Sequence, residues 1–191
     1  MYIYIRKAKS KIHHLSQKLS FIYHEAKAHN LAKNYSIGDE YKRIYLFHIR
    51  KTGGTSLNQI FLGLGGEDGK DVYTKLAKTP NHRVKSDDQL FVGWNKKLIE
   101  SGNYFYAFSH IPKHKLILPN NTFTITFLRD PVKRVISHYK MLYYYQVNSI
   151  NHPCMKTEGA WLGECFQDFL ERIPYEHLLN QLYICFQKPL M

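Results

Sequence analysis

The chain has little cysteine, no long apolar run and no recognisable secretion signal. Its three cysteines, Cys154, Cys165 and Cys185, have spacings that match neither a disulfide framework nor a paired zinc-binding motif. No apolar run reaches the roughly 18 residues that a membrane-spanning helix needs. The N-terminus also lacks the continuous apolar segment and small-residue cleavage site of a signal peptide. These absences predict a soluble protein with reduced thiols.

Acidic residues are also scarce: 15 Asp and Glu stand against 27 Lys and Arg, so the formal net charge is +12. The 44% hydrophobic and 15% aromatic content excludes a disordered chain, and 191 residues are typical of one domain. The charge favours an anionic partner, but it does not distinguish a nucleic acid, a membrane, an acidic polysaccharide or a phosphorylated nucleotide. The motifs must make that distinction.

Residues 1–40 form a basic extension that we expect to be helical. Residues 1–43 contain nine Lys or Arg but three Asp or Glu. Apolar residues recur at helical spacing through this segment, at Ile12, Leu15, Leu19, Ile22 and Ala26. We expect this stripe to pack against the rest of the protein or a second subunit. The alternative is that it lies on a membrane or an anionic polymer.

Three segments rich in aromatic and β-branched residues predict strands at 44–49, 104–109 and 122–128. Two of them are almost continuously apolar, which is typical of parallel strands covered on both faces. Helical patterns follow the first and third segments, so residues 41–191 predict one α/β domain with a central parallel sheet flanked by helices. We expect loops around one short element at 63–88, and two helices after Ala160 separated at Pro174.

The first candidate site lies between the first strand and the helix that follows it. Its glycine pair would let backbone N–H groups face an anion at the helix N-terminus, with a lysine and three hydroxyls adding to the attraction. Lysine precedes the glycines, whereas in Walker A it follows them, so nucleoside triphosphatase activity is disfavoured. The candidate phosphate-binding residues are Arg50, Lys51, Thr52, Gly53, Gly54, Thr55 and Ser56.

The second candidate site follows the third predicted strand. We expect that strand to be buried. Arg129 lies at its carboxyl end, where ligands of open α/β sheets bind, and Ser137 lies two turns into the next helix. A guanidinium and a hydroxyl suit a second phosphate. Asp130 and Pro131 match the ordinary start of a helix, at the N-cap and in the first turn.

Together these motifs resemble those of sulfotransferases that use 3′-phosphoadenylyl sulfate (PAPS). The first reads HIRKTGGTS and resembles their 5′-phosphosulfate loop, and the second reads LRDPVKRVISHY and resembles their 3′-phosphate motif. The first is most similar to that of the heparan sulfate 2-O- and 6-O-sulfotransferases, with Arg50 in place of the usual proline. The resemblance implies a three-layer fold like that of P-loop nucleoside triphosphatases, with the sulfotransferase domain at 41–191.

The resemblance also implies roles for individual residues. Lys51 would contact the leaving 5′-phosphate within the loop 50–56, and Arg129 and Ser137 would bind the 3′-phosphate. The segment 109–112 resembles the [ST]-H-x-P sequence of cytosolic sulfotransferases, which makes His110 the general base. His48, His114 or a glutamate, which some relatives use, remain alternative bases.

The implied reaction is in-line transfer of a sulfuryl group from PAPS to a hydroxyl of a carbohydrate or polysaccharide, with no metal and no nucleic acid. An anionic acceptor would match the positive charge. The metal-ligand spacing of His152, Cys154 and Cys165 is not that of a standard zinc site. Because the family usually continues further, we also expect a C-terminally short domain, and the alternative is an inactive PAPS- or polyanion-binding protein. We expect a bacterial-type cytoplasmic location, or the Golgi lumen if an anchor has been removed.

Overall fold

The computed structural model describes the backbone of residues 2–38 and 40–178 and the side chains of 11–38 and 40–178. The helices are α1 Tyr2–Ala32, α2 Gly54–Gly63, α3 Gly69–Lys78, α4 Lys96–Ser101, α5 Pro131–Val147, α6 Met155–Glu158, α7 Phe166–Arg172 and α8 Tyr175–Leu178. The strands are β1 Arg43–Phe47, β2 Arg83–Ser86, β3 Gln89–Gly93, β4 Tyr106–Ser109 and β5 Thr122–Thr126. Short 3-10 helices occupy Lys113–Lys115 and Gly159–Trp161.

The five strands form one sheet in the order β2-β3-β4-β1-β5. β1 is parallel to β4 and to β5, β3 is parallel to β4, and β2 alone is antiparallel to its neighbour. Phe47 of β1 is in register with Ser109 of β4 and Thr126 of β5. The carboxyl ends of these three strands therefore meet at one edge. The prediction of an α/β fold with a central, mainly parallel sheet between helices is confirmed.

Alternate side chains of β1 enter two separate cores, as the two-residue period of a strand requires. Ile44 and Leu46 pack with Leu62 of α2 and Leu76 of α3 on one face. On the other face, Tyr45 and Phe47 pack in a cluster that includes Leu98 and Ile99 of α4. β1 and β4 are buried along nearly their whole length. The site loops at their carboxyl ends are thus anchored by strands that are rigidly packed on both faces.

β5 differs from the prediction, because it lies at the edge of the sheet and much of it is exposed. Phe123 retains 42% of its accessible surface and contacts Tyr41 edge to face. The segment 122–128 was expected to form a buried strand, and this was wrong for β5. A run of aromatic and β-branched residues suits a strand whether its outer face is covered or exposed, so the sequence did not distinguish these cases.

The region 63–88, predicted as loops around one short element, contains all of α3 and the first strand of the hairpin β2–β3. The Asp68 carboxylate caps α3 by accepting hydrogen bonds from the backbone N–H groups of Lys70 and Asp71, at 2.9 and 3.1 Å. The hairpin turns at Asp87, whose φ is 50°. β2 has four residues, two of them basic, so it carries little of the apolar signal by which strands are recognised.

A third cluster joins α5 to the C-terminal helices. Val135 and Leu142 of α5 pack with Phe169 of α7 and with Leu162 and Ile173. The first helix expected after Ala160 begins at Phe166, because Gly159–Trp161 forms a separate 3-10 turn. The second begins after Pro174 as α8, and its expected core residues Leu179 and Leu182 lie outside the described residues.

The N-terminal helix is present, as predicted, but its apolar stripe is not packed against the domain. Among the described side chains of α1, those that attach it to the domain lie near its C-terminal end, where Ala28 and Ala32 are buried and Glu25 forms an ion pair with Arg83. We expected the stripe to pack on the rest of the protein or on a second subunit; the first alternative was wrong, and the second stays a prediction. Over the described part of the chain, no helix combines the length and apolar character that crossing a membrane requires.

Candidate functional site

The shape of the loop after β1 is fixed by hydrogen bonds to its backbone. The N–H of His48 donates to the carbonyl of Ser109 at 2.9 Å, and the Thr52 hydroxyl donates to the carbonyl of Ile49 at 2.8 Å. Gly53 has a φ of 93°, which other residues rarely adopt. A Cβ on Gly54 would lie 2.0 Å from Cδ2 of His48. Gly53 thus permits the turn, and Gly54 leaves room for the His48 ring because it has no β-carbon.

The N-terminus of α2 opens from this loop. Gly53 is the N-cap, and no side chain in the described part of the chain caps the helix by a hydrogen bond. Thr55 and Ser56 are exposed on the first turn. Unsatisfied backbone N–H groups and the helix dipole attract an anion at such a terminus. By contrast, the N-terminus of α5 is closed, because the Asp130 carboxylate accepts a hydrogen bond from the N–H of Lys133 at 2.8 Å.

Lys51 and Arg129, one from each predicted motif, lie side by side. The Nη1 of Arg129 donates a hydrogen bond to the carbonyl oxygen of Lys51 at 3.1 Å. Burial and the nearby guanidiniums of Arg129 and Arg50 lower the pKa of Lys51. Cations held this close repel one another, and a bound anion would relieve that repulsion. The structure therefore joins the two motifs into one basic cluster.

Arg50 points to the C-terminal part of the chain. Its guanidinium forms an ion pair with Glu158 at the end of α6, and Nε2 of the buried His138 lies 2.8 Å from the other carboxylate oxygen. Burial alone would raise the pKa of Glu158, but hydrogen bonds from His138 and the Arg50 charge hold this pKa below its usual range. Arg50 as a phosphate ligand stays a prediction.

The sequence prediction missed Glu158 and His138. The only signal was indirect: an arginine replaces the loop's usual proline, and a half-buried arginine needs an acidic partner. Nothing in the sequence says which of the acidic residues folds back to meet it.

On α5, Ser137 and Arg134 have different environments. Ser137 is half-buried two turns from the start of the helix. Arg134, which belongs to the same motif, is buried, and its Nη2 donates to the carbonyl oxygens of His177 at 2.5 Å and Leu178 at 2.8 Å. Arg134 therefore holds α8 against α5. The binding role of Ser137 remains a prediction.

His110 follows β4 and faces the loop after β1. Its Nδ1 lies 2.5 Å from the carbonyl oxygen of His48, and because a carbonyl can only accept, we assign the proton to Nδ1. The neutral ring then has its lone pair on Nε2. Burial lowers the pKa of His110. A neutral imidazole with an unprotonated Nε2 is the form that a general base requires.

Ser109 shapes the turn that presents His110. Its hydroxyl accepts a hydrogen bond from the N–H of Ile111 at 3.1 Å and lies 2.6 Å from the hydroxyl of the buried Tyr45. Ser109, the serine of the predicted S-H-x-P segment, thus packs into the core. The histidine after it points to the loop.

The two alternative histidine bases have less suitable surroundings. The rings of His48 and His110 are tilted by 39° with their centroids 4.5 Å apart, and burial, His110 and Arg50 lower the pKa of His48 to about 3. Its ring is buried against Gly54, so it supports the loop. His114 is exposed in the 3-10 turn Lys113–Lys115. Of the three, His110 alone combines partial burial, an assigned tautomer and a hydrogen bond to the backbone of the loop after β1.

The thiols and His152 do not gather into a metal site. Nδ1 of His152 lies 2.9 Å from the Sγ of Cys154, while Cys165 is exposed at the start of α7. In residues 11–38 and 40–178, no group of three or more His, Cys, Asp and Glu side chains is placed to hold a metal ion. Both thiols are unpaired.

Comparison with known proteins identifies the family. Residues 33–182 match the profile of the Sulfotransferase family, and this range contains the loop after β1, the His110 turn and the start of α5. Searches of curated proteins and of solved structures returned no significant match. Sulfotransferases have a P-loop-like fold, which agrees with the sheet and with the glycine loop that leads into α2. The chain belongs to the sulfotransferase family.

Proposed function

We propose that this protein transfers a sulfuryl group from PAPS to a hydroxyl of a carbohydrate. The observation that carries the proposal is the contact between Arg129 and Lys51, which joins two basic motifs at the open N-terminus of α2. A donor with separate 5′ and 3′ phosphates needs two such anion sites close together. The family match supports sulfuryl transfer in general.

In this proposal the 5′ end of the donor lies on the loop 50–56 and the 3′-phosphate lies against α5. Lys51, Thr52, Gly53, Gly54, Thr55 and Ser56 would surround the 5′-phosphosulfate, with Arg129 and Ser137 on the 3′-phosphate. The open α2 terminus and the exposed hydroxyls of Thr55 and Ser56 support the first assignment. Arg50 would add positive potential from its ion pair with Glu158.

The proposed chemistry needs one base and one cation. The acceptor hydroxyl gives its proton to Nε2 of His110 as its oxygen forms a bond to sulfur. The bond between sulfur and the 5′-phosphate oxygen breaks in line, and its electron pair stays on that phosphate oxygen. Lys51 stabilises the developing charge. The products are a sulfate ester, 3′-phosphoadenosine 5′-phosphate (PAP) and a proton on His110.

Separate observations support the carbohydrate acceptor and the cytoplasmic location. The likeness of the HIRKTGGTS loop to that of heparan sulfate sulfotransferases favours a sugar hydroxyl, and the net charge of +12 favours an acidic chain. Cys154 and Cys165 are free thiols, which suits a reducing compartment.

Calorimetry with PAP, using AMP as control, tests the donor. We expect PAP to bind at least tenfold more tightly than AMP, because AMP lacks the phosphate assigned to Arg129 and Ser137. Equal binding of the two, or no binding of either, would contradict the donor assignment. Transfer of labelled sulfate from PAPS to a panel of acidic and neutral oligosaccharides then tests the acceptor class. Tight PAP binding without any transfer would identify the inactive binder instead.

A further inference from the structure

Residues 12–22 of α1 present a row of large apolar side chains to solvent. Ile12, Leu15, Leu19 and Ile22 retain 69%, 61%, 62% and 61% of their accessible surface. A contiguous exposed apolar row of this kind marks an interaction surface, whereas single exposed aliphatic residues are ordinary. We call Ile12, Leu15, Leu19, Ile22 and Ala26 the α1 seam.

The spacing of the seam is that of a coiled coil. Its members are separated alternately by three and four residues, and the same spacing extends back through the sequence to Ala8 and Ile5. Residues 5–26 thus place an apolar residue at every a and d position of three heptads. A narrow row of a and d positions is typical of a helix pairing with another helix, and a broader apolar face is typical of one that lies on a membrane.

The seam faces away from the domain. Ala28 and Ala32, by which α1 is attached, are buried. At 3.6 residues per turn, Ala28 lies about 180° and Ala32 about 140° around the helix axis from Leu19, so the attached side and the seam are different faces of α1. A second helix can therefore approach the seam without displacing the contact between α1 and its own domain.

The residues that flank the seam suit a second copy in the parallel orientation. The g positions are Lys11, Lys18 and Glu25, and each faces the e position five residues later in the partner helix. Those e positions are Ser16, Tyr23 and Asn30. No like charges face each other across these pairs. In the antiparallel orientation with the same core layers, Lys18 would face its own counterpart. Lys11 would face Glu25 there, but the Glu25 carboxylate is already paired with Arg83 of its own domain, so the repulsion at Lys18 is not offset.

We propose that α1 forms a parallel two-stranded coiled coil with α1 of a second copy of this chain. The interface includes the described residues 12–26, with Ile12, Leu15, Leu19 and Ile22 as its central layers. The two domains then lie on the outside of the pair, each held by the far side of its own α1. This interface is independent of the proposed reaction.

Light scattering on the full chain over a range of micromolar concentrations tests the dimer. We expect a mass twice that of the 22.6 kDa chain. The double variant Leu15→Glu with Leu19→Glu places charges in the seam and should have the monomer mass. The matched control, Gln17→Glu with Ser20→Glu, adds the same charge at exposed positions outside the seam and should stay dimeric. Circular dichroism confirms that both variants remain folded.

Disulfide trapping tests the orientation and register. In a background with Cys165 and Cys185 replaced by serine, mild oxidation should link Leu19→Cys to its counterpart, giving a dimer on a non-reducing gel. Gln17→Cys, on the outer face, should remain monomeric. In an antiparallel pair Leu19 faces Leu15, so cross-linking only in a mixture of the Leu15→Cys and Leu19→Cys variants would overturn the parallel arrangement.

A monomer mass for the wild-type chain at every concentration would overturn the proposal. So would equal dissociation of the seam variant and the control. Sedimentation with vesicles tests whether the seam binds a membrane instead. The vesicles contain phosphatidylcholine, with or without phosphatidylserine. If the protein is a monomer and binds only the vesicles with phosphatidylserine, through the seam, then the seam is a surface for an anionic membrane.

Discussion

The loop after β1 and the start of α5 are the two basic motifs of this protein, and each uses its cations in two ways. In each, one cation lies in the cluster at the sheet edge, Lys51 in the loop and Arg129 before the helix. In each, another cation holds the C-terminal part of the chain, Arg50 through Glu158 and Arg134 through the carbonyls of His177 and Leu178. The two motifs therefore combine a candidate ligand with a structural support.

This division has an energetic reason. A charge that binds a ligand must be accessible, and a charge that holds structure stabilises most when it is buried with a partner. Neighbouring residues of one motif meet both requirements because a turn or a helix sends successive side chains in different directions. The contrast between the cluster cations and the supporting cations can be tested by substitution.

The largest effect is expected for Lys51→Ala. Loss of the cation that stabilises the leaving phosphate should lower turnover by about 10²- to 10³-fold, as removal of one preorganised transition-state contact does. The assay is transfer of labelled sulfate from PAPS. Lys70→Ala, at an exposed position on α3, is the matched control. Unchanged turnover in Lys51→Ala would remove this lysine from the cluster's proposed chemistry.

His110→Ala should lower turnover by roughly 10²-fold or more while PAP affinity stays nearly unchanged, because a general base contributes to the chemical step. Calorimetry and the transfer assay measure the two quantities separately. His14→Ala, on exposed α1, serves as the control. If the variant keeps wild-type turnover, a different group must accept the proton.

The comparison of the two kinds of cation is tested most directly by Arg129→Gln and Arg50→Gln. Arg129→Gln should weaken PAP binding by about 10- to 100-fold, the usual cost of losing a hydrogen bond to a charged group, with little change in the free energy of unfolding. Arg50→Gln should lower the free energy of unfolding by about 3 kcal/mol, because it leaves the buried Glu158 carboxylate without its main cation. PAP affinity should change little.

Calorimetry and urea denaturation give both quantities for each variant. Equal losses of PAP affinity in Arg129→Gln and Arg50→Gln would contradict the distinction between cations that bind the donor and cations that support the structure. Arg50 would then be a direct ligand.

A smaller effect is expected for the dependence of the free energy of unfolding on pH. The unfolded chain protonates His48 near pH 6.5, but in the folded protein burial, His110 and Arg50 lower its pKa to about 3. Above pH 6.5 the group is neutral in both states and contributes nothing. As the pH falls from 6.5 towards 3, protonation favours the unfolded chain by up to about 1.4 kcal/mol per pH unit. Urea denaturation at pH 7, 6 and 5 measures this slope.

His48→Asn should reduce that slope by about the same 1.4 kcal/mol per pH unit. An unchanged slope would show that His48 is solvated enough to titrate normally in the folded protein.

The parts of the fold and site that the sequence predicted are those with local signals. The strands β1 and β4, the glycine loop and the Asp130 cap each depend on residues close together in the chain, and all are present. β2 was missed because a four-residue polar strand resembles a loop, and it is held by its pairing with β3. The exposure of β5 depends on the strand order, which no single strand encodes.

The supporting contacts could not be predicted for a similar reason. The pair Arg50 and Glu158 joins residues 108 apart in the sequence, and Arg134 bonds to backbone carbonyls, which carry no side-chain signature. The tautomer of His110 depends on the carbonyl of His48, another distant backbone atom. Sequence motifs indicated which residue types gather at the edge, and only the folded chain separates ligands from supports.

The backbone of Lys51 has a consequence for attempts to make this protein more robust. Its φ of 67° lies in the left-handed region, where the β-carbon of any other residue clashes with the backbone and glycine, which has none, does not. Redesign guided by folding stability alone would therefore select glycine at position 51. The resulting protein would be harder to unfold and would lack the lysine on which the proposed chemistry depends. Tolerance of heat is thus a misleading criterion for choosing residues at this position.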